Sequence, residues 1–190
     1  MDSLIVQLYQ SKKSILTRRE IAIIWSESNS LKLNSKIAYY TKQGAIQKIT
    51  RGVYALGKEY DVREVATSIY QPSYISFETV LREAGIIFQH SDTIFVASKL
   101  SRNLDLNGHR FVFRKIKDVV LYSPIGITMS KAYPIASLER AFLDMIYLFP
   151  NYYFDNLAPL NWQKCHELAD IYNNKQLFKR LNNYHKSFAR

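Results

Sequence analysis

The stretch from Leu31 to Lys58, LKLNSKIAYYTKQGAIQKITRGVYALGK, contains no Asp or Glu and carries six cations among three tyrosines. The cations are Lys32, Lys36, Lys42, Lys48, Arg51 and Lys58. Two periodicities follow one another within it. Leu33, Ile37 and Tyr40 recur at helical spacing; after Gln43-Gly44 the pattern changes to alternation, with Ile46, Ile49 and Val53 apolar. Gly44 suits the position just past a helix, because the left-handed backbone required there carries no Cβ penalty for glycine. Asn34 or Ser35 is the expected cap at the start. Arg51-Gly52 falls where a hairpin turns or bulges, and Val53, Tyr54 and Leu56 return as its second strand. A helix followed at once by a small basic hairpin is the second half of a winged helix-turn-helix, in which the helix enters the major groove and the hairpin lies along the backbone beside it.

With Leu33, Ile37 and Tyr40 facing inward, the helix turns Ser35, Lys36, Tyr39, Lys42 and Gln43 outward. Lys32 precedes them, and Lys48 and Arg51 sit in the hairpin. These eight residues are the candidate DNA-binding set, because together they offer the donors, acceptors and positive charge that base edges and phosphates require. A solvated helix face with ordinary lysines is the plainer alternative. The acid-free hairpin with Lys48 and Arg51 favours DNA.

Charge is distributed to match. The chain of 190 residues has a net charge of +10. Residues 1–58 hold a balance of +7, residues 59–150 a balance of zero, and the last forty residues +3. Basicity concentrated in one helix–hairpin unit is an electrostatic footprint for a polyanion. A hydrophobic content of 47% provides for a real core. The single cysteine, Cys165, excludes an intramolecular disulfide and a Cys-rich zinc site, and fits a reducing compartment. MDSLIVQLYQ does not have the form of a signal peptide, and no apolar run approaches the ~18 residues of a membrane helix. The expectation is a cytoplasmic protein.

Along the chain, Leu4, Ile5, Leu8 and Tyr9 mark a first helix, and Ile15-Leu16 a short strand. Thr17 and Glu20 make a T-x-x-E capping box ahead of Ile21, Ala22, Ile24 and Trp25, the first helix of the helix-turn-helix, with Ser26 to Ser30 as the turn. The expected domains are 1–58, the winged helix, and 59–190. Val62, Val65, Ala66 and Ile69 form a helical face that Gln71-Pro72 stops. Ser76 is the expected cap of a helix from Phe77 to Ala84. Strands are expected at Thr93–Ala97 and His109–Ile116, with weaker ones around Leu121–Tyr122 and Ile125–Met129. Ser137 caps the clearest helix, which runs to Tyr147 with Leu138, Ala141, Phe142, Met145 and Ile146 as its apolar stripe. Two amphipathic helices, Trp162–Ile171 and Gln176–Tyr184, close the chain. The expected fold class is α+β: an N-terminal winged helix-turn-helix, then a mixed α/β domain with C-terminal helices.

Three motifs together resemble the AbiEi-type antitoxins of bacterial type IV toxin–antitoxin (abortive-infection) systems and related transcriptional regulators. They are Gly44-Ala45-Ile46-Gln47-Lys48-Ile49-Thr50-Arg51-Gly52-Val53-Tyr54-Ala55-Leu56, the run Tyr74-Ile75-Ser76-Phe77-Glu78 through Gly85-Ile86-Ile87, and Ala136-Ser137-Leu138-Glu139-Arg140-Ala141-Phe142-Leu143-Asp144. The resemblance extends over roughly residues 17–147. It implies a winged helix that binds operator DNA and represses its operon, and a remainder that counters a nucleotidyltransferase-like toxin. This chain has Thr50 before a single Arg51 where a second basic residue is common in the family.

Catalytic chemistry is thinly represented. His90, His109, His166 and His185 lie at no metal-ligand spacing from one another or from Cys165. Cys165 and His166 are adjacent and point about 100° apart on a helix, so the cysteine is read as structural. There is no glycine-rich phosphate loop. Glu139 and Asp144 do not share a face well, and Glu139 with Arg140 is expected to form surface or interdomain ion pairs. Asp61 and Glu64 lack further ligands for a paired-carboxylate nuclease. The sequence therefore predicts no enzyme, no cofactor and no metal. The alternatives are a winged-helix protein-interaction module, with Tyr152-Tyr153-Phe154 and the last helices as its partner surface, or a transcriptional regulator without a toxin partner.

Overall fold

In the computed structural model, which describes residues 3–188, Thr17 and Glu20 close the expected capping box. The Glu20 N–H donates to the Thr17 hydroxyl at 3.2 Å, and the Thr17 N–H donates to the Glu20 carboxylate at 2.7 Å. Two helix-end donors are thereby satisfied reciprocally, starting helix α2 (Arg18–Ile24). Before it come α1 (Ser3–Gln10) and strand β1 (Ile15–Thr17); after it come α3 (Ser30–Lys42), β2 (Gln47–Thr50), β3 (Val53–Ala55) and α4 (Val62–Ile69). The three strands form one antiparallel sheet in the order β1-β3-β2, with Leu16 opposite Tyr54 and Lys48 opposite Tyr54 from the other side. Leu8, Leu16, Ile21, Trp25, Leu33, Ile37, Tyr40 and Ile46 make the core under it. Trp25 also donates its indole N–H to the Leu4 carbonyl at 2.9 Å, fixing α1 to α2.

Gly44 follows α3 at φ +71° and its N–H donates to the Thr41 carbonyl, as a glycine just past a helix does. The start of α3 differs from expectation. Asn29, not Asn34 or Ser35, is the cap: its side-chain oxygen accepts from the N–H groups of Leu31 and Lys32 at 3.0 and 3.1 Å. An extra turn of helix therefore consumes the end of the polar segment read as the connection.

The chain divides into two compact units, Met1–Ile69 and Tyr70–Arg190. The boundary lies beyond the expected one after Lys58 because α4 belongs to the first unit. Glu64, only 3% exposed, accepts from both the Ser14 N–H (3.2 Å) and the Ser14 hydroxyl (2.5 Å). Composition changes near Gly57, but the packing changes later.

The second unit is a mixed sheet with helices. Its strands are β4 (Ser73–Ile75), β5 (Ile94–Ser98), β6 (Arg102–Leu106), β7 (His109–Lys115), β8 (Ile127–Ser130) and β9 (Tyr133–Ala136), in the order β6-β7-β5-β4-β9-β8. Pairing is parallel between β5 and β7 and between β4 and β9, and antiparallel elsewhere. The helices are α5 (Glu78–Glu83), α6 (Asp118–Leu121), α7 (Leu138–Leu148), α8 (Trp162–Ala169) and α9 (Lys175–Phe188). Ser137 caps α7, accepting from the Arg140 N–H at 3.2 Å. α7 packs against α5, α8 and α9, and every residue from Arg140 to Ile146 is buried. That all-round burial makes it the central helix of the unit.

Three further expectations change. Leu121 ends the short helix α6 instead of starting a strand. β6 is a strand beyond those expected: its residues RNLDL sit at the sheet edge with little burial, and only Leu104 and Leu106 alternate with polar neighbours, too short a run to mark a strand. The turn that pairs it with β7 is Asn107-Gly108, both at positive φ, which is the hairpin signature such a pair carries. Ser76 does not cap α5. Its hydroxyl turns inward to the Asp144 carboxylate at 2.7 Å, and Phe77 takes the cap position at φ 56°, ψ −139° without a side-chain bond. A buried phenylalanine in that left-handed region is strained, and the strand-to-helix corner is held by the packing around it.

Candidate nucleic-acid interface

α3 has three solvent-facing strips, set by its period of about 100° per residue. Leu33, Ile37 and Tyr40 are buried. Opposite them lie Leu31, Ser35 and Lys42, all exposed. On one flank lie Ser30 and Asn34, which line a cleft of about 600 Å³ together with Arg18, Lys48, Arg51 and Gly52. On the other flank lie Lys32, Lys36, Tyr39 and Gln43. The eight residues expected as one interface thus divide among these strips and the hairpin.

The cleft is the chemically richest of the three regions. Arg18 donates from Nε to the Asn34 side-chain oxygen at 2.9 Å and from Nη2 to the Ser30 hydroxyl at 2.7 Å. Its backbone N–H donates to the Gly52 carbonyl at 2.8 Å, joining the start of α2 to the hairpin turn. The guanidinium is therefore oriented by neutral acceptors, Asn34 and Ser30. Lys48 and Arg51 are exposed on the hairpin side, and no carboxylate lines the cleft. Gly52 sits in the turn at φ +78°, a conformation that glycine adopts without strain. Three cations converging on an open space with hydroxyl and amide donors nearby is the arrangement that holds a phosphodiester.

The outward strip offers different chemistry. Leu31 is 78% exposed. Ser35 donates its hydroxyl proton to the Leu31 carbonyl at 3.0 Å, which leaves its oxygen lone pairs as acceptors. Lys42 brings an ammonium at the far end of the helix. An apolar group for a thymine methyl, an acceptor and a donor are what a helix in a major groove presents to base edges.

The other flank is partly neutralised. Lys36 forms an ion pair with Glu27 at 2.8 Å. Lys36, the Asn29 N–H and the charge of Lys32 together hold the Glu27 carboxyl below its usual range. The acid that compensates Lys36 lies just before the acid-free stretch and folds back onto it. Tyr39, 56% exposed, packs edge-on against Tyr40 at 5.2 Å. Tyr39 and Gln43 line a separate, more apolar cleft of about 530 Å³ with Ile5, Val6 and Tyr9 of α1.

Arg18, Leu31 and Asn34 are the residues that sequence reasoning missed. Arg18 opens the first helix of the helix-turn-helix, and only its side-chain bonds to Ser30 and Asn34 of α3 and its backbone bond to Gly52 of the hairpin turn bring it to the cleft. Its place directly after the Thr17 cap was the available signal.

In the second unit the structure overturns the expectation for Arg140. It is completely buried, not a surface residue, and pairs with Asp144 four residues on. The guanidinium donates to the carbonyls of Ile125 (2.6 Å) and Val120 (2.7 Å) and to the Tyr74 hydroxyl (3.1 Å). Asp144 accepts from Tyr172 (2.6 Å), Ser76 (2.7 Å) and Tyr74 (3.0 Å). Burial, with the neighbouring Asp144 carboxylate, pushes the Tyr74 and Tyr172 phenols up, so both serve as neutral donors. The network bridges α7 to β4, α6 and the turn before β8. The serine-leucine-glutamate-arginine-alanine motif is thereby a core lock.

The histidines are less scattered than their spacing implies: His166 Nε2 and His185 Nδ1 lie 3.5 Å apart, with His185 stacked on Trp162. Burial, reinforced by Glu139, pushes the Cys165 thiol up to about 12, as befits a structural cysteine. Among the described residues no group of three or more His, Cys, Asp or Glu side chains is placed to hold a metal ion. No helix among them is long and apolar enough to cross a membrane.

Comparison of the chain with protein-family models and with curated proteins gives no match.

Proposed function

We propose that residues 1–69 form a winged helix-turn-helix that binds duplex operator DNA, and that the protein is an antitoxin and transcriptional autorepressor countering a nucleotidyltransferase-like toxin. The observation that carries the DNA reading is the carboxylate-free cleft where Arg18, Lys48 and Arg51 converge beside α3. In this reading α3 lies in the major groove with Leu31, Ser35 and Lys42 toward base edges, and the cleft grips a phosphate at the groove's rim. The antitoxin half rests on the three motifs that resemble the AbiEi-type family, and the toxin is a functional partner in it.

Footprinting on the DNA upstream of the gene, with fluorescence anisotropy across a salt series, tests the reading. Protection of a discrete segment is expected. If about four cations meet phosphates, the log–log salt slope is about −3 to −4. A flat salt response, or no duplex binding at low salt, removes the DNA reading. Growth rescue in cells expressing a nucleotidyltransferase-like toxin, should a neighbouring gene encode one, tests the antitoxin half separately.

The apolar cleft between α1 and α3 favours one second reading, a protein-interaction module in which Tyr9 and Tyr39 dock a partner. That reading expects Tyr39→Ala to abolish function without any effect on DNA affinity.

A further inference from the structure

α9 carries no acidic residue over its whole length, although Lys175, Lys179, Arg180 and Lys186 lie on it. One of its faces presents Gln176, Lys179, Arg180, Asn183 and Ser187, at the i, i+3, i+4, i+7, i+11 spacing that keeps residues on one side of a helix. That face forms one wall of a groove of about 560 Å³, about 16 Å long by the helical rise. The opposite wall is the connection Pro150–Tyr153. No carboxylate lines it.

Two features make the groove a built one. Arg180 is anchored through Nη1, which donates to the carbonyls of Ile146 (2.8 Å) and Tyr147 (3.0 Å) at the end of α7, so its remaining donors are held in a fixed direction. Tyr184 donates its hydroxyl to the Tyr152 carbonyl at 2.6 Å, fixing the connection to α9. On that fixed connection Tyr153 is 80% exposed, the most exposed of the large hydrophobic side chains described. Tyr152, by contrast, is half-buried and packs on the core residue Phe154 at 5.0 Å.

We propose that this groove binds single-stranded nucleic acid, with a base stacked on Tyr153, base edges on Gln176 and Asn183, and the backbone on Lys179 and Arg180. The chemistry selects the ligand. An aromatic face left in solvent, opposite a wall that carries two side-chain amides about two turns apart, matches a strand of free bases, which need a π surface and donors and acceptors at their edges. An acidic peptide uses the cations but has no use for an exposed tyrosine ring facing a wall with amides. A duplex keeps its bases stacked on one another and offers none to Tyr153. The site is independent of the cleft in the first unit and of the duplex reading.

The test uses the full chain in an Arg18→Glu/Arg51→Glu background, which silences the first-unit cleft. Fluorescence anisotropy then follows a short fluorescein-labelled oligothymidylate, and a duplex of equal length. Single-strand binding is expected to persist in that background. Tyr153→Ala is expected to weaken it roughly five- to 150-fold, the range for loss of one stacked base. Lys179→Ala is expected to flatten the salt slope by about 1. Tyr153 and Lys179 are both exposed, and a thermal melt confirms that each variant folds as the parent does. Absence of single-strand binding in this background overturns the proposal. So does binding that Tyr153→Ala leaves unchanged, or that polyglutamate displaces as readily as an oligonucleotide of equal charge. None of these outcomes bears on duplex binding by the unreversed protein.

Discussion

Arg18 and Arg140 both stand in the first turn of a helix capped by a hydroxyl residue, and both have a guanidinium oriented by several hydrogen bonds. Their electrical situations are opposite. Arg18 bonds only neutral acceptors, Asn34 and Ser30, and opens onto a cleft shared with two more cations. Arg140 is enclosed with the Asp144 carboxylate, two tyrosine hydroxyls and two carbonyls. Orientation alone therefore says nothing about role. A positioned arginine without a counter-ion is available to an anionic ligand, whereas one whose charge is balanced at no exposure is a fixture of the core.

The largest expected effect comes from unbalancing the buried pair. Asp144→Ala leaves the Arg140 charge buried without its counter-ion and is expected to cost about 3–5 kcal/mol. Arg140→Met with Asp144→Leu is expected to cost less than Asp144→Ala alone, because a matched apolar pair leaves no stranded charge. Trp25 and Trp162 are the two tryptophans, one in each unit, so urea unfolding of these variants in a Trp25→Phe background reports on the second unit alone. A loss below about 1 kcal/mol for Asp144→Ala would show that the pair is not the lock described here.

Next in size is the effect on the proposed duplex binding of reversing the open arginine. Arg18→Glu is expected to lower affinity about tenfold or more at moderate salt, and Arg18→Ala to flatten the salt slope by about 1. Equal slopes for Arg18→Ala and the parent would place Arg18 with Arg140, as a structural residue, and dissolve the contrast between them.

A smaller effect separates the two flanks of α3. Lys36 is matched by Glu27, and Lys48 has no such partner in the cleft. Lys48→Ala is expected to reduce the salt slope more than Lys36→Ala does. Glu27→Gln is expected to raise duplex affinity about twofold, since it removes an anion beside the interface. If Lys36→Ala proves the more damaging of the two lysine substitutions, the helix is gripped from its α1 flank instead.

The smallest effect is a pH dependence in the first unit. Burial works to raise the Glu20 carboxyl, but Lys13 and the Thr17 N–H and hydroxyl outweigh it and hold the group below its usual value of 4.5. The folded state thus favours the carboxylate. The contribution is fully present above about pH 4.5 and is lost as pH falls through the lower folded value. Glu20 is partly exposed, so screening leaves well under ~1 kcal/mol. Urea midpoints in a Trp162→Phe background are expected to drop on acidification less for Glu20→Gln than for its parent. Parallel acid limbs would assign the dependence to another group.

What the sequence determined is local. The Thr17–Glu20 box, the periodicity of Leu33, Ile37 and Tyr40, Gly44 past the helix and Gly52 in the turn all act within a few residues, and each forms as its spacing requires. The Ser137 cap and the apolar stripe of α7 were legible for the same reason. Caps with several candidates were not: Asn29, Asn34 and Ser35 are chemically alike, and only the turn leaving Trp25 selects Asn29. The tertiary structure alone decided which charges are free. Arg18 meets α3 through Asn34 and the hairpin turn through Gly52, Glu27 returns to Lys36, and the Arg140–Asp144 pair of α7 is enclosed by Tyr74 and Tyr172, which lie far from it in the chain. A residue count records charge, but burial and pairing determine whether that charge can act on anything outside the fold, and both are properties of the packed chain.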